Sequence, residues 1–287
     1  MADWCIEDET SPLEDVLLGP PDRFEWLPTS AISKAALASG RELRREDVLA
    51  AHGEMASAYE SAGVRVHRLQ PDPELKYQVF SRDSSIWGST GPIVTQLNQW
   101  WRRGEYAPVI RFYESEAIPI AHMVTAGSFE GGDLVLPQPR CALIGHCEER
   151  TQEVAARQVA GWLEAMGWEV RLQPFDPHFV HIDVLVCMVA PGLATLCEEA
   201  APPGLADWLR EKGIELLDVS YRECMQLGAN VMALGNDRVI STAEASRLNE
   251  RLRAHGLEVY DPDLWPFTMG GGGPHCLAQP LRRLREG

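Results

Sequence analysis

The chain has 287 residues, 45% hydrophobic and 24% charged, with a formal net charge of -16. That length can bury a sizeable core, and so acidic a surface repels phosphate backbones, which excludes nucleic acid as an expected partner. Seven cysteines, an odd number with no Cys-x-x-Cys pair, argue against a disulfide framework or a structural zinc site and for a reducing cytoplasm.

The acidic start, Met1 to Glu9, has no basic or apolar leader, so no signal peptide is expected. Residues 1–40 read as an irregular segment, because Pro12, Pro20, Pro21 and Pro28 bar a long helix. From Glu42 to Ala62 the apolar spacing turns helical, Gly63 ends it, and Val64 to Leu69 alternates as a strand does.

That unit recurs. A helix over Glu153–Met166 is followed by Gly167 and a strand at Trp168–Leu172. Leu205–Lys212, Gly213 and Ile214–Leu217 repeat it, as do Ser246–His255, Gly256 and Leu257–Tyr260. A further copy belongs between Gly63 and Gly167, and the sequence places it at Gln96–Gly104 followed by Val109–Phe112. Strands at Cys141–Gly145, and at Asn230–Gly235 with Arg238–Ile240, precede two of the helices. A period in the forties means a solenoid or a closed ring of similar units. The expected fold is α/β, one domain over residues 1–287, with five ββαβ modules around a centre. A doubly wound sheet is the alternative, but no Gly-rich phosphate loop follows a first strand. The most apolar run, Phe179 to Cys197, contains His181 and Asp183 and breaks at Pro191-Gly192, so it does not read as a membrane span.

Several polar residues stand in apolar or Gly-rich surroundings. Asp83 closes Phe80-Ser81-Arg82-Asp83, after an expected strand at Tyr77–Phe80. Glu130 opens Glu130-Gly131-Gly132-Asp133. His181-Ile182-Asp183 opens an apolar run, and in a strand its two polar residues share a face. Near the C-terminus, Gly270 to Gly273 deliver Pro274-His275-Cys276. Four glycines let backbone approach a ligand closely, and a cysteine on such a loop is a candidate nucleophile. Each residue also has a plain structural reading: a turn cap for Asp83 or Glu130, a satisfied core histidine for His181, a buried thiol for Cys276. Trp100 and Trp101 read as packing, and the arginines at 282, 283 and 285 as a solvated tail.

Together these residues make chemical sense. A thiolate needs a nearby base or cation to lower its pKa, and His181 could fill that role and later protonate a leaving amine. Glu130 could orient the imidazole. Two further carboxylates could hold a planar guanidinium, exposing its central carbon to the thiolate.

Phe-x-Arg-Asp, Glu-Gly-Gly-Asp, His-x-Asp and a late Gly-rich loop ending in Cys, in this order from about Val79 to Arg283, resemble the guanidine-modifying enzyme superfamily. That group includes arginine deiminases, agmatine deiminases, dimethylarginine dimethylaminohydrolases and glycine amidinotransferases, and its fold is a five-bladed α/β propeller. The resemblance implies Cys276 as nucleophile, His181 as general acid/base and Glu130 as its carboxylate partner. Asp83 and Asp183 become the acids that grip the guanidinium. It implies no cofactor and no metal. Ala278 stands where many relatives carry Thr or Ser, and Ser84 where Pro is frequent. Related dihydrolases have Asn where Asp83 stands, so Asp83 points to chemistry that stops at a citrulline-type product.

The expected activity is cysteine-dependent C–N hydrolysis of a small cationic guanidine, arginine or a modified arginine, through a covalent thiouronium. Arg103 or Arg111 is expected to bind a substrate carboxylate, and residues 1–40 and 84–128 to set substrate choice. An amidinotransferase, suggested by Pro280-Leu281-Arg282-Arg283, is the alternative. Two others are an iron site built on His181, Asp183 and His255 or His275, and a propeller used only for binding. Cytoplasmic location, no membrane contact and a homodimer as one candidate assembly complete the expectation.

Overall fold

The computed structural model describes residues 4–284. Its strands form five separate three-stranded sheets among the described residues. The first module holds β1 (Leu13–Leu18), α1 (Ala31–Ala38), α2 (Arg45–Ser61) and β2 (Arg65–Arg68). The second runs β3 (Ser85–Gly88), β4 (Gly91–Val94), α3 (Tyr106–Ser115) and β5 (His122–Met123). The third runs β6 (Leu134–Gln138), β7 (Cys141–His146), α4 (Glu153–Ala165) and β8 (Glu169–Pro174). The fourth is β9 (Val186–Ala190), β10 (Leu193–Leu196), α5 (Leu205–Glu211) and β11 (Glu215–Asp218), followed by the one-turn α6 (Tyr221–Cys224). The fifth is β12 (Met232–Gly235), β13 (Arg238–Ile240), α7 (Ser246–Ala254) and β14 (Glu258–Tyr260), then the short α8 (Trp265–Thr268) and β15 (Ala278–Arg283).

Four of the five sheets are wired alike. The middle strand pairs antiparallel with the strand before it and parallel with the strand reached through the helix. A parallel pair needs such a crossover, whereas an antiparallel pair closes with a tight turn. This is the expected ββαβ module. The first module alone is assembled from both ends of the chain: β1 pairs parallel with β2 and antiparallel with β15. The last strand thus closes the ring. The described part of the segment expected to be irregular, residues 4–40, therefore holds regular elements. Val16, Leu17 and Leu18 are fully buried in the middle of a sheet, and Ser30 caps α1 in a reciprocal hydrogen-bond pair with Ser33. The prolines stand at 12, 20, 21 and 28, flanking these elements rather than interrupting them.

The five crossover helices end identically. Val64, Ile118, Trp168, Ile214 and Leu257 each donate their N–H to a carbonyl five residues back, at 2.8–3.1 Å. The residue before each is left-handed: Gly63, Ala117, Gly167, Gly213 and Gly256, with φ between +53° and +87°. This is the helix-ending loop in which glycine is preferred because it has no Cβ to strain. Ala117 takes that place in the second module, so the copy expected at Gln96–Gly104 with a strand at Val109–Phe112 lies elsewhere. Val109 to Phe112 belong to the helix α3, and the strand that follows is β5. Tyr77–Phe80 is a turn rather than a strand. Arg282 and Arg283 lie in β15, with Arg283 buried, and the tail position Arg285 falls outside the described residues.

Candidate active site

A residue with chemical capability stands just before the first strand of each sheet. Asp83 precedes β3, Glu130 precedes β6, His181 and Asp183 precede β9, Asn230 precedes β12, and Cys276 precedes β15. Three of these leads are single 3-10 turns, Ser81–Ser84, Gly131–Asp133 and Ile182–Val184, which pack against one another. The modular fold therefore delivers at least one polar group per blade to a common centre.

His181 and Asp183 are not on one strand face. The turn between them sends the two side chains to different partners, because a tight 3-10 turn lacks the two-residue alternation of a strand. The His181 Nε2 lies 2.8 Å from Glu130 Oε2, and its Nδ1 lies 3.6 Å from Asp83 Oδ1. Asp183 instead accepts from His275 Nδ1 at 2.8 Å and from the Cys276 thiol at 3.5 Å. His255, the other histidine weighed for an iron site, pairs with Glu215 through Nε2 at 3.5 Å. The set of His181, Asp183 and His255 is therefore not assembled. The ligand atoms of Asp83, Glu130 and His181 do lie within 4.8 Å of one another, a spacing that could hold a cation. Here the carboxylates are matched by Arg102, Arg150 and the imidazole itself.

The site is buried: Glu130 and Asp183 are fully covered, and Asp83, His181 and Cys276 nearly so. A small cavity of about 30 Å³ is lined by Ser30, Phe80, Asp83, Arg102, Arg150, His181, Gly270 to Gly272 and Cys276. Gly272 shows why the loop is glycine. A Cβ there would meet the Phe80 ring at 2.2 Å.

Electrostatics separate the two halves of the site. Burial disfavours charge on Glu130, but Arg150, His181 and Arg102 hold it well below the usual carboxylate range. Burial also opposes a charged His181, yet the Asp83, Glu130 and Asp133 carboxylates overcome it and raise its pKa to about 10. The imidazole is thus a proton donor at neutral pH. Burial, followed by the Asp183 and Asp83 charges, pushes the Cys276 thiol well above its ordinary value.

The geometry brings together Cys276, His181, Glu130, Asp83 and Asp183. It does not bring in Arg103 or Arg111, whose side chains are exposed. The arginines in the cavity are Arg102 and Arg150. Arg102 grips Glu105 through two hydrogen bonds of 2.8 and 2.9 Å and Asp83 through a third of 2.8 Å. Among the described residues Arg150 has no acid that close; Glu130 is 3.7 Å away. Sequence reasoning also missed Asn230. Its Oδ1 accepts the backbone N–H groups of His275 and Cys276 at 3.1 and 3.2 Å, and its Nδ2 donates to the Asp183 carbonyl. The signal was available: Asn230 holds the same pre-strand place as the acids of the other blades. Trp100, read as packing, is 77% exposed on the loop that carries Arg102.

The family model described as N,N dimethylarginine dimethylhydrolase, eukaryotic, matches residues 21–283. The chain belongs to that family. It is 28% identical over 234 residues to an uncharacterised protein of Bacillus subtilis, YkgA, covering 81% of this chain and 79% of that one. It is 25% identical over 260 residues to the arginine deiminase of Listeria welshimeri, covering 75% of this chain and 63% of the deiminase. Its fold superposes on a DDAH from Pseudomonas aeruginosa, a Cys-to-Ser mutant complexed with citrulline. The TM-score is 0.79 at 20% identity, over 93% of this chain and 98% of the other. Family membership bears out the expected guanidine-modifying superfamily, its five-module fold and its class of C–N hydrolase. Among the described residues no helix is long and apolar enough to cross a membrane.

Proposed function

We propose that this family member is a cysteine-dependent hydrolase of arginine or an N-methylated arginine, releasing ammonia or an alkylamine and leaving a ureido product. The carrying observation is the Cys276 thiol lodged beside Asp183, with its Sγ 3.5 and 3.8 Å from the two carboxylate oxygens. Such a thiol stays protonated until a cation offsets the acids around it. A substrate guanidinium is that cation, and Asp183 is its first contact.

The steps follow from the positions. Asp183 and Asp83 hold guanidinium nitrogens, and the substrate's charge lowers the Cys276 pKa so that the thiol releases its proton to solvent. The thiolate attacks the central carbon and forms the C–S bond. His181, oriented by Glu130, gives its proton to the departing nitrogen as the C–N bond breaks. The imidazole, now neutral, takes a proton from water, and the resulting hydroxide cleaves the C–S bond of the thiouronium. As the C–S bond breaks, the proton of the added hydroxyl passes to the departing sulfur, the ureido product leaves, and the resting thiol and imidazolium are restored. Arg150 supplies a positive charge in the same cavity for a substrate carboxylate, the role expected of Arg103 or Arg111.

The test is incubation with L-arginine, agmatine and methylated arginines, with assay of released ammonia or alkylamine and of ureido product. Intact mass of the protein quenched during turnover should show Cys276 carrying the substrate less its departing ammonia or alkylamine, the substituted thiouronium. Ammonia from arginine identifies a deiminase, and dimethylamine from dimethylarginine a dimethylaminohydrolase. Product that instead carries an amidino group on an added amine, such as glycine, identifies the amidinotransferase.

A further inference from the structure

His275 neighbours the nucleophile yet takes no part in the steps above. Its ring is buried between two acids from distant parts of the chain. Nδ1 lies 2.8 Å from Asp183 Oδ2, and Nε2 faces Glu9 Oε1 at 3.6 Å. Nε2 has no hydrogen-bond partner, and neither does Glu9 Oε2, although both atoms are buried. Glu9 is held in turn by Arg82, whose Nη2 donates to Glu9 Oε1 at 2.7 Å and to the Leu134 carbonyl at 2.9 Å. Glu9 is ionised: burial opposes its charge, but the facing His275 imidazole and the charge of Arg82 bring its pKa down to about 2.

We propose that His275 is a positioning residue for guanidinium binding, which pins Asp183 Oδ2 so that Oδ1 is presented to the substrate, and that Glu9 fixes the His275 ring in that orientation. The proposal rests on the reading of this pocket as a guanidine site. A terminal carboxylate rotates over a broad range unless a partner holds it. Among the described residues the side-chain partners of Asp183 are His275 and the Cys276 thiol. Once the thiol is ionised it can no longer donate, and a thiolate repels the carboxylate. His275 is then the protein donor left on Asp183. The unpaired Nε2 aimed at Glu9 explains a buried histidine where packing alone would favour an apolar side chain. The N-terminal segment, through Glu9, thereby reaches the substrate site without touching the substrate.

Three variants test this: His275→Leu, His275→Asn, whose amide nitrogen can replace Nδ1 but not Nε2, and Glu9→Gln. The readouts are KM and kcat for a guanidine that the wild type turns over, the concentration of that guanidine protecting Cys276 from iodoacetamide, and the melting temperature. His275→Leu should raise KM and the protecting concentration about tenfold or more, and His275→Asn should bring both back to within about threefold of wild type. Glu9→Gln should raise KM about threefold while kcat stays within about twofold. Wild-type binding in His275→Leu overturns the proposal. So does His275→Asn as impaired as His275→Leu at an unchanged melting temperature. If His275→Leu does not fold, an unchanged KM and protection in Glu9→Gln overturns it, and the predicted rise supports it. Failure of the functional reading shows separately, as a wild type that neither turns over a guanidine nor is protected by one.

Discussion

Cys276 is kept as a thiol by its own site, which makes substrate charge the trigger for its reactivity. The kcat profile and the alkylation profile should therefore separate. Iodoacetamide reacts with the empty enzyme, where burial and Asp183 hold the thiol pKa well above its ordinary value. Turnover occurs with a guanidinium bound, where an opposite charge within contact distance lowers the thiol pKa by about 1–3 units. The acidic limb of kcat should lie that far below the midpoint for alkylation by iodoacetamide, and coincident midpoints would show that the substrate does not activate the thiol. Cys276→Ser should lose at least about a thousandfold in turnover, because the nucleophile acts as one unit with its acid. Its melting temperature should stay within about 3 °C, since an oxygen replaces a sulfur of similar size. Arg150→Ala should raise KM for arginine about tenfold or more while leaving agmatine, which has no carboxylate, nearly unchanged. Equal losses on both would move the carboxylate contact elsewhere.

At the scale of the element, the site depends on short turns packed close together. A Cβ at Gly132 would stand 2.6 Å from His181 Nδ1. The imidazole cannot retreat without breaking its 2.8 Å contact to Glu130. Gly132→Ala should therefore lower kcat about tenfold or more while changing stability by only about 1–3 kcal/mol, as overpacking of one methyl does. Full kcat in this variant would mean that the His181–Glu130 pair tolerates displacement. The same scale explains what could be read from sequence. Four of the five helix endings were legible because Gly63, Gly167, Gly213 and Gly256 mark them chemically. The second module was misplaced because Ala117 adopts the same left-handed turn without the glycine, and tertiary packing of Ile118 and Tyr113 holds it there. Strand β1 was illegible because its pairing partners, at residues 65–68 and 278–283, are distant in sequence, while nearby prolines suggested an irregular segment. The acids and the cysteine were legible from motifs. Arg102 in place of Arg103 was not, since neighbouring arginines on a turn differ only in the direction the fold gives them.

Across the whole molecule, folding and catalysis share one charge network, and pH exposes the link. His181 titrates near 6.5 when the chain is unfolded and at about 10 when folded, so the folded state holds the proton more tightly. The stability it contributes is fully present below pH 6.5 and is lost as pH rises through 10. Other buried groups titrate as well; Asp133, for example, is raised from 3.8 to about 7 by burial, opposed by His181. The His181 contribution is isolated by comparing wild type with His181→Gln in urea unfolding at a series of pH values. The gap between the two should be constant below pH 6.5 and should narrow by about 2–5 kcal/mol towards pH 10 and above. A gap that stays level across that range would mean that the imidazole is neutral in the folded protein. It could not then protonate a leaving amine at neutral pH, and Glu130 would have to be reassigned from stabilising an acid to orienting a base.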